Sequence, residues 1–169
     1  RLPAQPPRTR VLVAVPHAAS RAGIHDFLGD ALDLDAEGDL VTGAEVLRAA
    51  RAGTYDVLLL DADVAAPDAL EVLSRLRAEQ PALAVLLLAA TEAADLPLRA
   101  LELGAAGHLD GRADPAEYVA AVRAVGRGER YLSPLVREAL LARAAGGPVA
   151  APRLTDREFQ VLRLLARGL

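Results

Sequence analysis

The sequence predicts an α/β domain, a parallel β-sheet with helices on both faces. Three observations carry this. Five short β-rich runs alternate with five helix-patterned segments over about 120 residues. Several of the runs are apolar without alternation, as in "VLLL" at Val57–Leu60, which marks strands buried on both faces. Hydrophobic residues make up 53% of the chain but aromatic ones only 3%, so the core must be Leu, Val and Ala, which favours close-packed helix–sheet layers. The 169 residues suffice for one such domain and a fragment of a second.

Residues 1–9 hold three prolines and read as a flexible lead-in. "RVLVAV" (Arg10–Val15) is a buried strand. "SRAGIHDFLGD" is an amphipathic helix with Ile24, Phe27 and Leu28 on one face. "ALDLDAE" alternates as a less buried strand. "TGAEVLRAARAG" opens on a capping box, Thr42 with Glu45, and stops at Gly53. "YDVLLLD" is the third strand, and Pro67 opens a helix reaching about Gln80. "ALAVLLLAA", the helix "LPLRALELG" and the strand "AGHLD" come next. The helix from Asp114 has that residue as N-cap, Pro115 at its first position and Glu117 three residues past the cap. "LSPLVREALLARAAGG" is a further helix capped by Ser133 and Pro134, and "GGPVAAP" (Gly146–Pro152) is a linker by composition. "LTDREFQVLRLLARGL" starts a new unit on a Thr155–Glu158 capping box, with Phe159, Leu162 and Leu165 on one face.

In an open parallel sheet the functional site lies beyond the carboxyl ends of the strands. Asp61 ends the third strand there, with Val15–His17, Ala89–Thr91 and Asp110–Arg112 around it. A carboxylate closing a buried strand is costly unless something uses or solvates it. The plain alternative to a working site is a partly solvated carboxylate accepting backbone N–H groups.

The composition excludes several classes. Without Cys there are no disulfides, thiolate metal sites or thiol catalysis. All 19 basic residues are Arg, so no role needing a lysine ammonium can be filled. A net charge of −4 gives no overall attraction for a polyanion. The start lacks the apolar core of a signal peptide, and no apolar run approaches a membrane span, so a cytoplasmic protein is expected. With no Met, the chain is expected to be part of a longer protein. His17, His25 and His108 do not have a metal-ligand spacing. "GAAGHLDG" lies between a helix and a strand, the wrong order for a dinucleotide site.

Four segments together resemble response regulators of the NarL/FixJ type, with a LuxR-type helix-turn-helix. They are "DVLLLD" before the strand-ending aspartate, "ALELGAAGHLDG", "AVRAVGRGERYLSP" and "LTDREFQVLRLLARGL". The resemblance implies a flavodoxin-like (CheY-like) five-stranded parallel sheet with helices on both faces. It divides the chain into a lead-in (1–9), a receiver (10–130), a linker helix and linker (131–152) and the first helix of a truncated DNA-binding domain (153–169). In such receivers the aspartate ending the third strand accepts a phosphoryl group. An acidic pair after the first strand helps hold Mg²⁺, and a Ser/Thr and a Lys stabilise the product. Here Asp61 keeps the acceptor position. The acidic pair falls on Val15 and Pro16, the Ser/Thr on Ala89, the Lys on Gly111 and the aromatic switch on His108. The Met-Pro-Gly run after the acceptor is Val64-Ala65-Ala66. Losing even one preorganised donor can cost ~3 kcal/mol, about a hundredfold in rate.

The expectation is a pseudo-receiver: a transcription factor, not an enzyme, whose receiver controls dimerisation and DNA binding without phosphorylation. No cofactor and no Mg²⁺ binding are expected. The implied partners are DNA, through the complete C-terminal domain of the parent protein, a second copy of the chain, and a histidine kinase or other protein; no membrane is involved. The alternatives are a conventional phosphorylated regulator using Asp61, with Arg112 replacing the Lys, and a protein–protein adaptor that never reads DNA. Val15 and Pro16 would give the pocket an apolar mouth, either open to a small apolar ligand or filled by neighbouring side chains. His108 is expected to be an ordinary packed residue, the alternative being that it lines the signalling face beside the fourth helix. Arg153, Arg157, Arg163 and Arg167 are spread along the last segment; the resemblance implies that its helix is scaffold and that a later helix reads DNA, so this chain alone should bind DNA poorly.

Overall fold

Residues 2–146, with Val161 and Leu165, are described by a computed structural model of the chain. The capping box at Thr155 and Glu158, the linker over 147–152 and the rest of the C-terminal helix over 153–169 lie outside the described residues.

Six strands form one parallel sheet: β1 (Thr9–Ala14), β2 (Leu34–Leu40), β3 (Val57–Asp61), β4 (Ala84–Leu88), β5 (Gly107–Leu109) and β6 (Tyr131–Leu132), in the order β2-β1-β3-β4-β5-β6. The helices are α1 (Ala18–Gly29), α2 (Gly43–Ala52), α3 (Ala69–Glu79), α4 (Asp95–Glu102), α5 (Pro115–Gly126) and α6 (Pro134–Ala144). Alternation along the strands divides the core into two apolar layers. Val11, Val13, Val57, Leu59, Leu86 and Leu109 pack under α1 and α5, against Ile24, Leu28, Val122 and Val125. Leu12, Leu58, Leu60, Val85 and Leu87 point the other way, under α2, α3 and α4, against Val46, Val72, Leu76 and Leu98.

The sheet corrects the expected strand count from five to six. Tyr131 and Leu132 pair with Gly107 and His108. A Cβ on Gly107 would lie 2.0 Å from the Tyr131 carbonyl oxygen, so only glycine permits this approach. α6 then lays Val136 and Leu140 into the larger apolar layer, which also takes Val161, with Leu165 against it. Two boundaries move slightly. α3 starts at Ala69, capped by Asp68, whose side chain accepts from the Glu71 N–H, rather than at Pro67. β2 runs on to Leu40 through Gly38, whose φ of 117° accommodates an irregularity in its pairing with β1.

The sheet order reverses between β1 and β3, and the crevice at their carboxyl ends is the switch point where open α/β sheets place ligands. The loop leaving β3 is tied to a helix: Gly43 and Ala44 N–H donate to the carbonyls of Ala65 (2.8 Å) and Ala66 (3.0 Å). Gly43 allows this contact, because a Cβ there would lie 2.0 Å from the Pro67 carbonyl oxygen.

Ala66 has φ 60°, the left-handed region that costs an L-residue ~1–2 kcal/mol. Glycine removes that cost but loses part of it to a more flexible unfolded chain. Ala66→Gly is therefore expected to raise unfolding stability by about 0.5–1 kcal/mol, measured by urea denaturation. A decrease would mean the Ala66 methyl makes packing contacts worth more than the backbone strain.

Candidate functional site

Asp61 is the first polar residue after the buried run Val57–Leu60, so its carboxyl emerges half-buried at the sheet edge. One carboxyl oxygen accepts from the Asp63 N–H at 2.8 Å. Burial raises the Asp61 pKa above its ordinary value, opposed by that hydrogen bond; the Asp63 charge adds to the rise and His17 opposes it. A cavity of about 500 Å³ opens over it, and its walls include Phe27, Asp63, Thr91, Gly111 and Tyr118. Among the described residues no arginine lines it.

His17 and Asp63 form an exposed pair at the rim, at 3.1 Å, worth little in stability. Thr91 closes its own turn, its hydroxyl accepting from the Ala93 N–H at 3.1 Å. Tyr118 is buried at the back, tilted against Phe27 with centroids 5.6 Å apart, and its hydroxyl donates to the Gly111 carbonyl at 2.9 Å. Burial, then the charges of Asp61 and Asp110, push its pKa up to about 12. Sequence reasoning missed Tyr118 and Phe27. Tyr118 lies one helical turn after the Asp114 cap, a position that faces the sheet.

The residues expected around Asp61 are placed unevenly. Ala89 and Gly111 line the cavity and offer no polar side-chain atom. Val15 does not form an apolar mouth: it is fully buried in the layer beneath α1 and α5, and neither it nor Pro16 lines the cavity. Strand parity explains this, since Val15 continues the side taken by Val11 and Val13. The carbonyls of Val15 and Pro16 accept from the Arg21 guanidinium, at 2.9 and 3.3 Å. Arg112 does not line the cavity. It donates to both carboxyl oxygens of Asp110, at 3.1 and 3.0 Å, and to the Thr91 carbonyl at 3.3 Å. That pairing holds the Asp110 pKa down.

His108, on β5, is 1% exposed and Ser133, at the α6 cap, 2%. The imidazole Nε2 lies 3.0 Å from the Ala89 carbonyl oxygen and Nδ1 2.7 Å from the Ser133 hydroxyl. A carbonyl only accepts, so Nε2 carries the hydrogen. Burial lowers the His108 pKa, opposed by the Ala89 bond and the Asp110 charge, so the ring is neutral and Nδ1 accepts from Ser133. His108 is packed in the sheet, and both its ring nitrogens are hydrogen-bonded.

A parallel sheet carrying an aspartate at the end of its third strand, at the switch point, defines a receiver-type signalling domain. The comparisons agree, and the chain belongs to the response regulator receiver domain family, whose model matches residues 11–123. The response regulator GacA of Pseudomonas viridiflava is 33% identical over 159 residues, 92% of this chain and 74% of that one. The signal receiver domain of NarL from Mycobacterium tuberculosis is 30% identical, with a TM-score of 0.70 over 73% of this chain and 100% of that one. A LuxR family DNA-binding response regulator from Silicibacter pomeroyi is 33% identical, with a TM-score of 0.63 over 75% and 97% of the two chains.

Asp61 and His108 each make stability depend on pH. The raised Asp61 pKa means the folded state holds this proton more tightly than the unfolded chain does. Its ionisation therefore opposes folding, and the penalty builds as pH rises from the ordinary value of 3.8. Asp61→Asn is expected to raise the urea midpoint at neutral pH, with the gain disappearing toward the acid end; an unchanged midpoint would show the carboxylate fully solvated. For His108 the folded pKa is lowered, so the unfolded chain binds the extra proton and stability falls as pH drops below 6.5. Urea denaturation at a series of pH values should show the wild type losing stability relative to His108→Phe over that range. Parallel curves would mean the buried ring does not titrate differently from an exposed one.

Proposed function

We propose that this chain is the receiver and exit helix of a transcriptional regulator whose receiver controls dimerisation and DNA binding without phosphorylation of Asp61. The carrying observation is that, among the described residues, no arginine lines the cavity over Asp61, and the Thr91 hydroxyl in its wall closes its own turn. Phosphoryl transfer builds charge on the phosphoryl oxygens and needs a metal ion and fixed cationic donors. Ala89 and Gly111 bring no donor side chain, no described arginine lines the cavity, and Arg112 is committed to Asp110. The chain has no lysine.

Mg²⁺ asks for octahedral oxygen ligands with one or two carboxylates, and the first-strand positions speak against it. Val15 and Pro16 have no side-chain oxygen, and their carbonyls already accept from a guanidinium. Among the described residues no group of three or more His, Asp or Glu side chains is placed to hold a metal. No helix among them is long and apolar enough to cross a membrane. DNA as target is supported by the Silicibacter pomeroyi relative, a DNA-binding response regulator, and by the sequence pattern over residues 153–169. A second copy of the chain and a kinase or other regulatory protein are the further partners of this reading. The phosphorylated alternative requires Arg112 to leave Asp110, and a guanidinium replaces a compact ammonium poorly at a tight site.

The chain and an Asp61→Asn control, incubated with Mg²⁺ and acetyl phosphate, should both keep their unmodified intact mass. A phosphoryl adduct on the wild type alone would overturn the proposal and make Asp61 a working acceptor.

A further inference from the structure

The cavity over Asp61 has two kinds of wall. One holds acceptors: the carboxylates of Asp61 and Asp63 and the Thr91 hydroxyl. A carboxylate offers about four acceptor positions, and the Asp63 N–H takes one of those on Asp61. Among the described residues the one basic side chain in the wall is His17, which pairs with Asp63 at 3.1 Å. The other wall is the tilted aromatic pair Phe27 and Tyr118. The charge of Asp61 is felt at the Tyr118 hydroxyl, so carboxylate and rings face one small space. Small residues keep that space open. Gly23 and Gly111 line it, and neither has the left-handed backbone that asks for glycine. A Cβ on Gly111 would meet the Ala90 side chain at 3.4 Å, and one on Gly23 the Phe27 ring at 3.7 Å, both ordinary contacts. The backbone therefore does not dictate the opening at either position. At about 500 Å³ the cavity has the size of a small-molecule site, which sets a few polar groups among apolar walls.

We propose that this cavity binds a small organic cation, a primary amine on an aromatic body, with its ammonium on the Asp61 carboxylate and its ring against Phe27 and Tyr118. An anionic ligand would meet two carboxylates and, among the described residues, no arginine. A neutral ligand would cover the half-buried charge of Asp61 without matching it, which costs affinity. An ammonium brings three donors to a wall of acceptors, and aromatic faces attract both its charge and an apolar body. A lysine side chain of another protein carries the same ammonium, but its slender stem covers little of two rings. The aromatic wall therefore favours a free ligand with a ring of its own. The inference rests on the reading of Asp61 as unphosphorylated, because a phosphoryl group there would occupy this end of the cavity. It gives such a receiver a chemical input.

The test titrates the full chain, without phosphodonor, and follows its amide signals by NMR. The probes are phenylethylamine, the neutral phenylethanol, and n-butylamine, which copies a lysine side chain. Phenylethylamine should give saturable shifts at Ala62, Asp63, Thr91 and Gly111. Phenylethanol should bind about tenfold to a hundredfold more weakly, the range for one hydrogen bond to a charged group. Phenylethylamine should weaken by the same factor on Asp61→Asn. Gly23→Leu puts a good helix former into α1 and fills the cavity from that side, so it should abolish saturable binding. Shifts that do not saturate with millimolar phenylethylamine, that lie outside the cavity, or that survive Asp61→Asn unchanged would overturn the proposal. Phenylethanol binding as tightly as the amine would do the same. Butylamine binding as tightly as phenylethylamine would overturn the ring-bearing ligand in favour of a partner protein's lysine. Labelling of Asp61 by acetyl phosphate would remove both the phosphorylation-independent reading and this inference, while a null titration without labelling would remove the ligand alone.

Discussion

The central strands β1, β3 and β4 are covered on both faces, and that constraint fixes where polarity can sit. Val11 to Val15 and Val57 to Leu60 leave no room for a charge inside the sheet. A buried ion without a partner costs several kcal/mol, so polar residues collect where the strands stop. The parallel arrangement makes those ends converge on one edge. Asp61, Asp63, Thr91 and Asp110 are the result, and the cavity lies among the first three. The same constraint makes the site small-residue rich: Ala62, Ala89, Ala90 and Gly111 leave open the space that larger side chains would fill.

The charges near this edge are settled pairwise. Arg112 is held by Asp110, Arg21 by two main-chain carbonyls and Asp39, and His17 by Asp63. Among the described residues Asp61 accepts the Asp63 N–H and faces the cavity. Burial raises its pKa, and the Asp63 N–H opposes the rise. Arg21, Arg112 and His17 each have a hydrogen-bond partner of their own.

Much of this was legible in the sequence, because continuous apolar runs, caps and glycine stops are local signals. The Thr42–Glu45 box, the Asp114 and Ser133 caps and the place of Asp61 are where the pattern put them. β6 was not legible: two residues carry no periodicity, and the strand exists because Gly107 admits the Tyr131 backbone. The burial of Val15 was readable from strand parity, yet the strand-end position drew attention to what lay beyond it. The His108 bonds to Ser133 and Ala89 span 25 and 19 residues and leave no trace in spacing. The Phe27–Tyr118 contact is of the same kind, two helices brought together only by the sheet they share.

The loop that leaves Asp61 does not stand alone. The two N–H groups at the start of α2 are orphan donors of any helix end, and here the carbonyls of Ala65 and Ala66 satisfy them. Loop and helix are thereby joined by two main-chain hydrogen bonds, four and five residues past Asp61. α2 keeps Arg48 and Arg51 on the outside of the domain, with Arg51 gripping Glu79 of α3. The start of α2 and the loop after β3 therefore have to keep their relative position for both to stay hydrogen-bonded.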